Sequence, residues 1–92
     1  MVGICVLEMH ILEANSLKDK RKIIKSITQR IRQRFNASVH ENNYHDNWHK
    51  AELEIAVAAQ NRSSAEKVLQ EIIKFAEIDG RAEIVRQEID YV

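Results

Sequence analysis

The chain of 92 residues is long enough for one small domain and too short for two. Its 45% apolar and 30% charged residues belong to a globular fold and exclude a disordered tail. A formal net charge of zero excludes a uniformly basic or acidic protein, and a single cysteine, Cys5, excludes an intrachain disulfide.

With no proline and only two glycines, the chain has no flexible linker and its connections must be short. No apolar run approaches the roughly 20 residues that cross a bilayer. The N-terminal apolar stretch is interrupted by Glu8 and His10, unlike a secretory leader. No membrane association is expected, and a cytoplasmic location is. Cys5 lies inside an apolar run and reads as a small buried hydrophobe, not a reactive thiol.

Residues Val2 to Leu12 alternate as a strand, with Gly3, Cys5, Leu7, Met9 and Ile11 on the face that looks like core. A short connection, Glu13 to Asn15, leads into a helix from Ser16 to Phe35. Ser16 is placed to cap it, and Asp19 three residues later approximates a capping box, in which Glu or Gln is the usual partner. This helix holds eight of the fourteen basic residues of the chain, Lys18, Lys20, Arg21, Lys22, Lys25, Arg30, Arg32 and Arg34, against one acid. The zero net charge therefore conceals a segment near +7 joined to a remainder near −7.

On a helical wheel Leu17, Ile23, Ile24, Ile27, Ile31 and Phe35 form a core-facing stripe. Lys18, Arg21, Lys22, Lys25 and Arg32 gather with Gln29 on an arc roughly opposite, while Lys20 and Arg34 lie off that arc. Cations at the start of a helix oppose its macrodipole, so local helix stability does not select them.

Asn36 to Glu41 reads as a short strand, and Asn42 to Asn47 as a loop rich in turn formers. Trp48 to Ala59 alternates again, with Ala51, Leu53, Ile55 and Val57 inward; its Ala and Glu content keeps a helix open as an alternative. A second helix opens at a capping box, Ser63-Ser64-Ala65-Glu66, buries Ala65, Val68, Leu69, Ile72, Ile73 and Ala76, and stops at Asp79-Gly80. A last strand, Ala82 to Tyr91, sets Val85, Ile89 and Tyr91 on one side and Arg86, Glu88 and Asp90 on the other. The order β-α-β-β-α-β with right-handed crossovers predicts a single ferredoxin-like split βαβ sandwich, an α+β fold. Its antiparallel sheet has the order 4-1-3-2, with both helices on one face.

The opposite sheet face is then open and presents Glu8, His10, Trp48, Lys50, Glu52, Glu54, Arg86 and Glu88. Val2, Ile4, Val6, Ala56 and Ala58 add an apolar patch to it, explained either by ordinary half-burial or by a homodimer formed through this face.

The motifs Ser16-Leu17-Lys18-Asp19-Lys20-Arg21, Arg34-Phe35-Asn36-Ala37-Ser38-Val39 and Asp46-x-Trp48, followed by Ala51-Glu52-Leu53 and Ala56-Val57, resemble the pattern of the YlxP-like proteins. These are a small bacterial family of unknown function, and the resemblance spans nearly the whole chain. It implies the same fold, a cytoplasmic setting and a gene neighbourhood that includes translation initiation factor two and ribosome-binding factor A. It brings no activity. His45 and His49 depart from the family's pattern, so the resemblance implies no histidine chemistry.

The basic stripe admits three readings: a solvated polar face, a phosphate-contacting surface, or a dock for an acidic protein. The phosphate reading is the working expectation, with ribosomal RNA or a ribosomal particle as partner. Lys18, Arg21, Lys22, Lys25 and Arg32 are then the gripping residues, with Lys20 as a supporting contact. The class alternative is a homo-oligomeric protein-interaction module with no nucleic-acid partner.

His40, His45 and His49, with Asp46, lack a fixed geometry and an obvious fourth ligand, so no metal or other cofactor is expected. Trp48 is expected as a core or hairpin anchor, and the sheet lacks the paired aromatics of an RNA-recognition motif. An acylphosphatase-like site would need an arginine in the loop where Glu13 stands, a metal chaperone would need Cys-x-x-Cys, and no glycine-rich phosphate loop exists. Glu52 and Glu54 are explained by solvent-facing alternation. No enzyme activity and no small-molecule substrate are expected.

Overall fold

A computed structural model describes all residues, Met1–Val92. The elements in order are β1 (Val2–Ile11), α1 (Leu17–Arg34), β2 (Ser38–Asn43), β3 (Lys50–Ala58), α2 (Arg62–Ile78) and β4 (Ala82–Tyr91). The strands form one sheet in the order β2-β3-β1-β4, each adjacent pair antiparallel. Read from the other edge this is 4-1-3-2, the ferredoxin-like arrangement.

Period-two alternation sets the core. Cys5, Leu7, Met9 and Ile11 of β1 and Ala51, Leu53, Ile55 and Val57 of β3 are buried, and Cys5, Leu7 and Met9 face Ile55, Leu53 and Ala51 across the two central strands. Ile24, Ile27 and Ile31 of α1 and Leu69, Ile72, Ile73 and Ala76 of α2 close over them in a single apolar cluster. Each fully buried aliphatic side chain contributes about 1.5–3 kcal/mol of transfer free energy, which is why this face holds both helices. At Gly3 α2 packs tightly on the sheet: a Cβ there would lie 2.9 Å from Leu69 Cδ1 and 3.2 Å from Ala65 Cβ. No helix is long and apolar enough to cross a membrane.

Several boundaries differ from the sequence expectation, each for a local reason. β2 begins at Ser38, because Asn36 and Ala37 are taken up in the turn that leaves α1, where Ala37 N–H donates to the Phe35 carbonyl (3.0 Å). It continues to Asn43 by means of a bulge after Glu41. β3 starts at Lys50 and not at Trp48, since Asn47 Oδ1 accepts from the backbone of His49 (2.9 Å) and Lys50 (3.0 Å) and bends the chain there. α2 is capped by Asn61, whose Oδ1 accepts from Ser64 N–H at 2.9 Å, so the expected Ser63 cap lies inside the helix. Asparagine is as strong a cap as serine, and the earlier one wins by adding helical residues.

β4 holds the largest correction. Its pairing with β1 shifts register between Glu8 and Met9, so Glu8 faces Arg86 whereas Met9 faces Ile84. The extra residue turns Val85 outward, 52% exposed, and Ile84 packs on the core in its place with Ile89 and Tyr91.

Candidate nucleic-acid interface

α1 is built from its cap upward. Ser16 Oγ accepts from Asp19 N–H (3.0 Å), and Asp19 Oδ2 accepts from Asn15 N–H (3.2 Å). The Asp19 carboxylate thus accepts from the residue before the cap, not from the Ser16 N–H as in a full capping box, and it lies where the macrodipole favours an anion.

Beyond the cap, the side chains sort by angle. Ile24, Ile27, Thr28 and Ile31 face the core, and Ser26 and Arg30 face the end of α2. Lys18, Arg21, Lys22, Lys25, Gln29 and Arg32 are exposed on the flank that overhangs the β2 edge of the sheet.

Within that flank Lys18, Lys22 and Lys25 form no ion pair. They continue through Gln29 to Arg32 at i, i+4, i+7, i+11 and i+14, a straight row about 21 Å long at 1.5 Å per residue. Arg21 stands beside the row. Its Nη2 lies 3.6 Å from Asp46 Oδ1, and with Asp46 93% exposed such a contact is worth little. Arg32 donates from Nη2 to the Val39 carbonyl, so one edge of its guanidinium ties α1 to β2 while the residue remains exposed.

Lys20 is not part of this surface. It is completely buried, and its Nζ lies 2.5 Å from Glu41 Oε2 and 2.9 Å from the Tyr44 carbonyl. The expected supporting phosphate contact is thereby corrected: its ammonium is fully used inside the fold. The reason is angular. Lys20 precedes Ile24 by four residues and Ile27 by seven, which puts it in the middle of the apolar stripe. A lone cation there can only be buried against a partner. The wheel carried that signal, but the partners Glu41 and Tyr44 are distant in sequence.

The network continues to the open face. Tyr44 adopts a left-handed conformation (φ 65°), reached because its N–H donates to Asn43 Oδ1 at 2.8 Å. Its hydroxyl donates to Glu8 Oε1 at 3.3 Å, and the Lys50 ammonium lies 5.5 Å from its ring centre. The negative charge of Glu8 raises the phenol above its ordinary pKa. Lys20 and Tyr44 therefore pin the β2–β3 loop beneath the first turns of α1.

The remaining candidates are dispersed. His40 Nε2 lies 3.0 Å from Glu54 Oε1, and His45 Nε2 lies 2.9 Å from the Glu41 carbonyl. His49 meets the edge of the His10 ring with centroids 6.4 Å apart. No three His, Cys, Asp or Glu side chains are grouped closely enough to hold a metal ion. Cys5 is buried, which pushes its thiol up to about 11. Of the two roles expected for Trp48, core or hairpin anchor, the first is corrected: it is 46% exposed, in the connection between β2 and β3. Beside the middle of α1, Arg81 grips Asp79 through Nε (2.6 Å) and Nη2 (2.8 Å) and donates to Ser26 Oγ (3.0 Å). This clamp holds the Asp79 carboxyl below the usual range against the opposing effect of burial.

Comparison with known proteins agrees with this architecture. The chain is 38% identical over 86 residues to the uncharacterized protein YlxP of Bacillus subtilis (strain 168), covering 94% of this chain and 91% of that one. Among solved structures it is similar to a de novo designed protein with ferredoxin fold (TM-score 0.66, 17% identity, 100% of this chain and 87% of that one). A second design, Foldit4, matches with TM-score 0.62 and 14% identity over 100% of this chain and 99% of that one. At such identities these likenesses carry the fold alone. Residues 2–89 match the model of a protein family described as being of unknown function, DUF503, and the chain belongs to that family.

Proposed function

We propose that this protein is a cytoplasmic RNA-binding accessory factor that associates with ribosomal RNA or a ribosomal particle and grips phosphates through the outer flank of α1. The observation that carries the reading is the row Lys18, Lys22, Lys25, exposed and without a carboxylate partner while the rest of the chain is acidic. Like charges one turn apart weaken a helix, and Lys18 also opposes the macrodipole. The charges of that row do not help the helix fold. A polyanion does, because each neutralised phosphate releases condensed counterions. Arg21 and Arg32 extend the grip, and a sheet without paired aromatics fits contact through α1 and phosphates in place of bases stacked on the sheet. The test is binding of a structured ribosomal RNA fragment across a salt series, beside a Lys22→Ala, Lys25→Ala double variant. Salt-sensitive binding that weakens in the variant is expected, and no binding at low salt overturns the reading.

One observation favours a second reading, a homo-oligomeric interaction module. No layer covers the outer sheet face, where Val2, Ile4, Val6 and Ala56 are only half-buried and Ala58 is exposed. Such a module shows a concentration-dependent mass and no RNA affinity.

A further inference from the structure

Trp48 is the only tryptophan in the chain, and it stands half out of the protein in a loop that is otherwise firmly held. On one side the buried Lys20 Nζ binds the Tyr44 carbonyl at 2.9 Å, four residues before the indole, and ties the loop to α1. On the other side the His49 carbonyl accepts from Ile11 N–H at 2.8 Å, fixing the loop to the end of β1. Three aromatic rings follow one another here: Trp48 and His49 have centroids 6.3 Å apart at 51°, and His49 meets His10 edge-on. The same end of the molecule carries the first cations of the α1 flank, Lys18, Arg21 and Lys22, with Lys50 at the start of β3; the opposing charges are Glu13, Asp46, Glu83 across from His10, and Glu8, which Tyr44 binds.

We infer that Trp48, backed by His49, is a stacking platform for an unpaired nucleobase placed at the start of the phosphate-gripping flank. The RNA class recognised is then a helix closed or interrupted by unpaired nucleotides, in preference to a continuous duplex. The inference rests on the phosphate reading given above and adds base contact to it. A base in a duplex offers its face only to its neighbours, whereas an unpaired base stacks on any exposed aromatic, and cations beside the ring hold the adjoining phosphates. The indole is prepositioned because the loop is tied to α1 and β1, so little freedom is lost on binding.

The experiment compares two labelled RNAs of equal phosphate number, a hairpin with an unpaired loop and a blunt duplex, with the intact protein. Affinity is read from RNA anisotropy and base contact from Trp48 emission. Hairpin binding should quench the emission. Trp48→Ala should weaken hairpin binding about tenfold, with little effect on the duplex, and Trp48→Phe should retain most of the affinity. Unchanged emission at saturating hairpin, or equal loss for both RNAs in Trp48→Ala, overturns the platform and leaves phosphate binding standing. If neither RNA binds, the phosphate reading fails and the platform fails with it.

Discussion

The Nζ atom of Lys20 lies 2.5 Å from Glu41 Oε2, fully shielded from water, in the first turn of the most basic helix of the chain. A charge that composition assigns to the surface instead joins α1 to β2 and, through the Tyr44 carbonyl, fixes the β2–β3 loop. Removing one partner strands the other: Lys20→Met is expected to cost about 3–5 kcal/mol, and Lys20→Met with Glu41→Leu to recover a large part of it. Urea unfolding of the two variants measures this.

Because Lys20 faces inward, it should not contribute to the salt dependence of RNA binding. At a temperature where the fold persists, Lys20→Met is expected to keep the slope of log K against log salt. The Lys22→Ala, Lys25→Ala variant should make the slope shallower by about 2, roughly 0.9 for each lost phosphate contact. Its Tm should stay level or rise slightly, since like-charge repulsion along the helix is relieved.

Gly3 lets α2 rest directly on β1. Gly3→Ala should drive Leu69 off its rotamer and destabilise the domain by about 1–3 kcal/mol. At Gly80 the reason is backbone: with φ at 79° just after α2, Gly80→Ala is expected to cost about 1 kcal/mol. Denaturant midpoints separate both from wild type.

The clamp of Arg81 on Asp79 gives a pH signature. The native carboxyl titrates below its unfolded value of about 3.9, so its stabilising contribution is present above that value and is lost as pH falls through the lower native one. Asp79→Asn should therefore be less stable than wild type at neutral pH, and the gap in Tm should close as pH is lowered below about 4. A constant gap down to pH 2 would contradict the assignment.

Much of the fold is legible in the sequence. The alternation of Cys5, Leu7, Met9, Ile11 with the apolar positions of residues 51–57, and the helical spacing of Ala65 to Ala76, name the buried faces correctly. The element order with its crossover rule yields the sheet order. Failures fell where two nearly equal local solutions compete. Asn61 and Ser63 are both good caps, and only the packed length of α2 chooses between them. In β4, Val85 and Ile84 are equally apolar, and the bulge opposite Glu8 and Met9 decides which one is buried.

By itself the sequence determined the charge segregation, the amphipathic faces and hence the sandwich, because these depend on period and on residues near one another along the chain. Tertiary structure alone decided which cations are free. It drew Lys20 inward to Glu41, bent Arg32 toward Val39, left Lys18, Lys22 and Lys25 without partners, and left Trp48 exposed. The physical reason is that partnering a charge and exposing a ring depend on groups brought together through space, and spacing along the chain does not encode them.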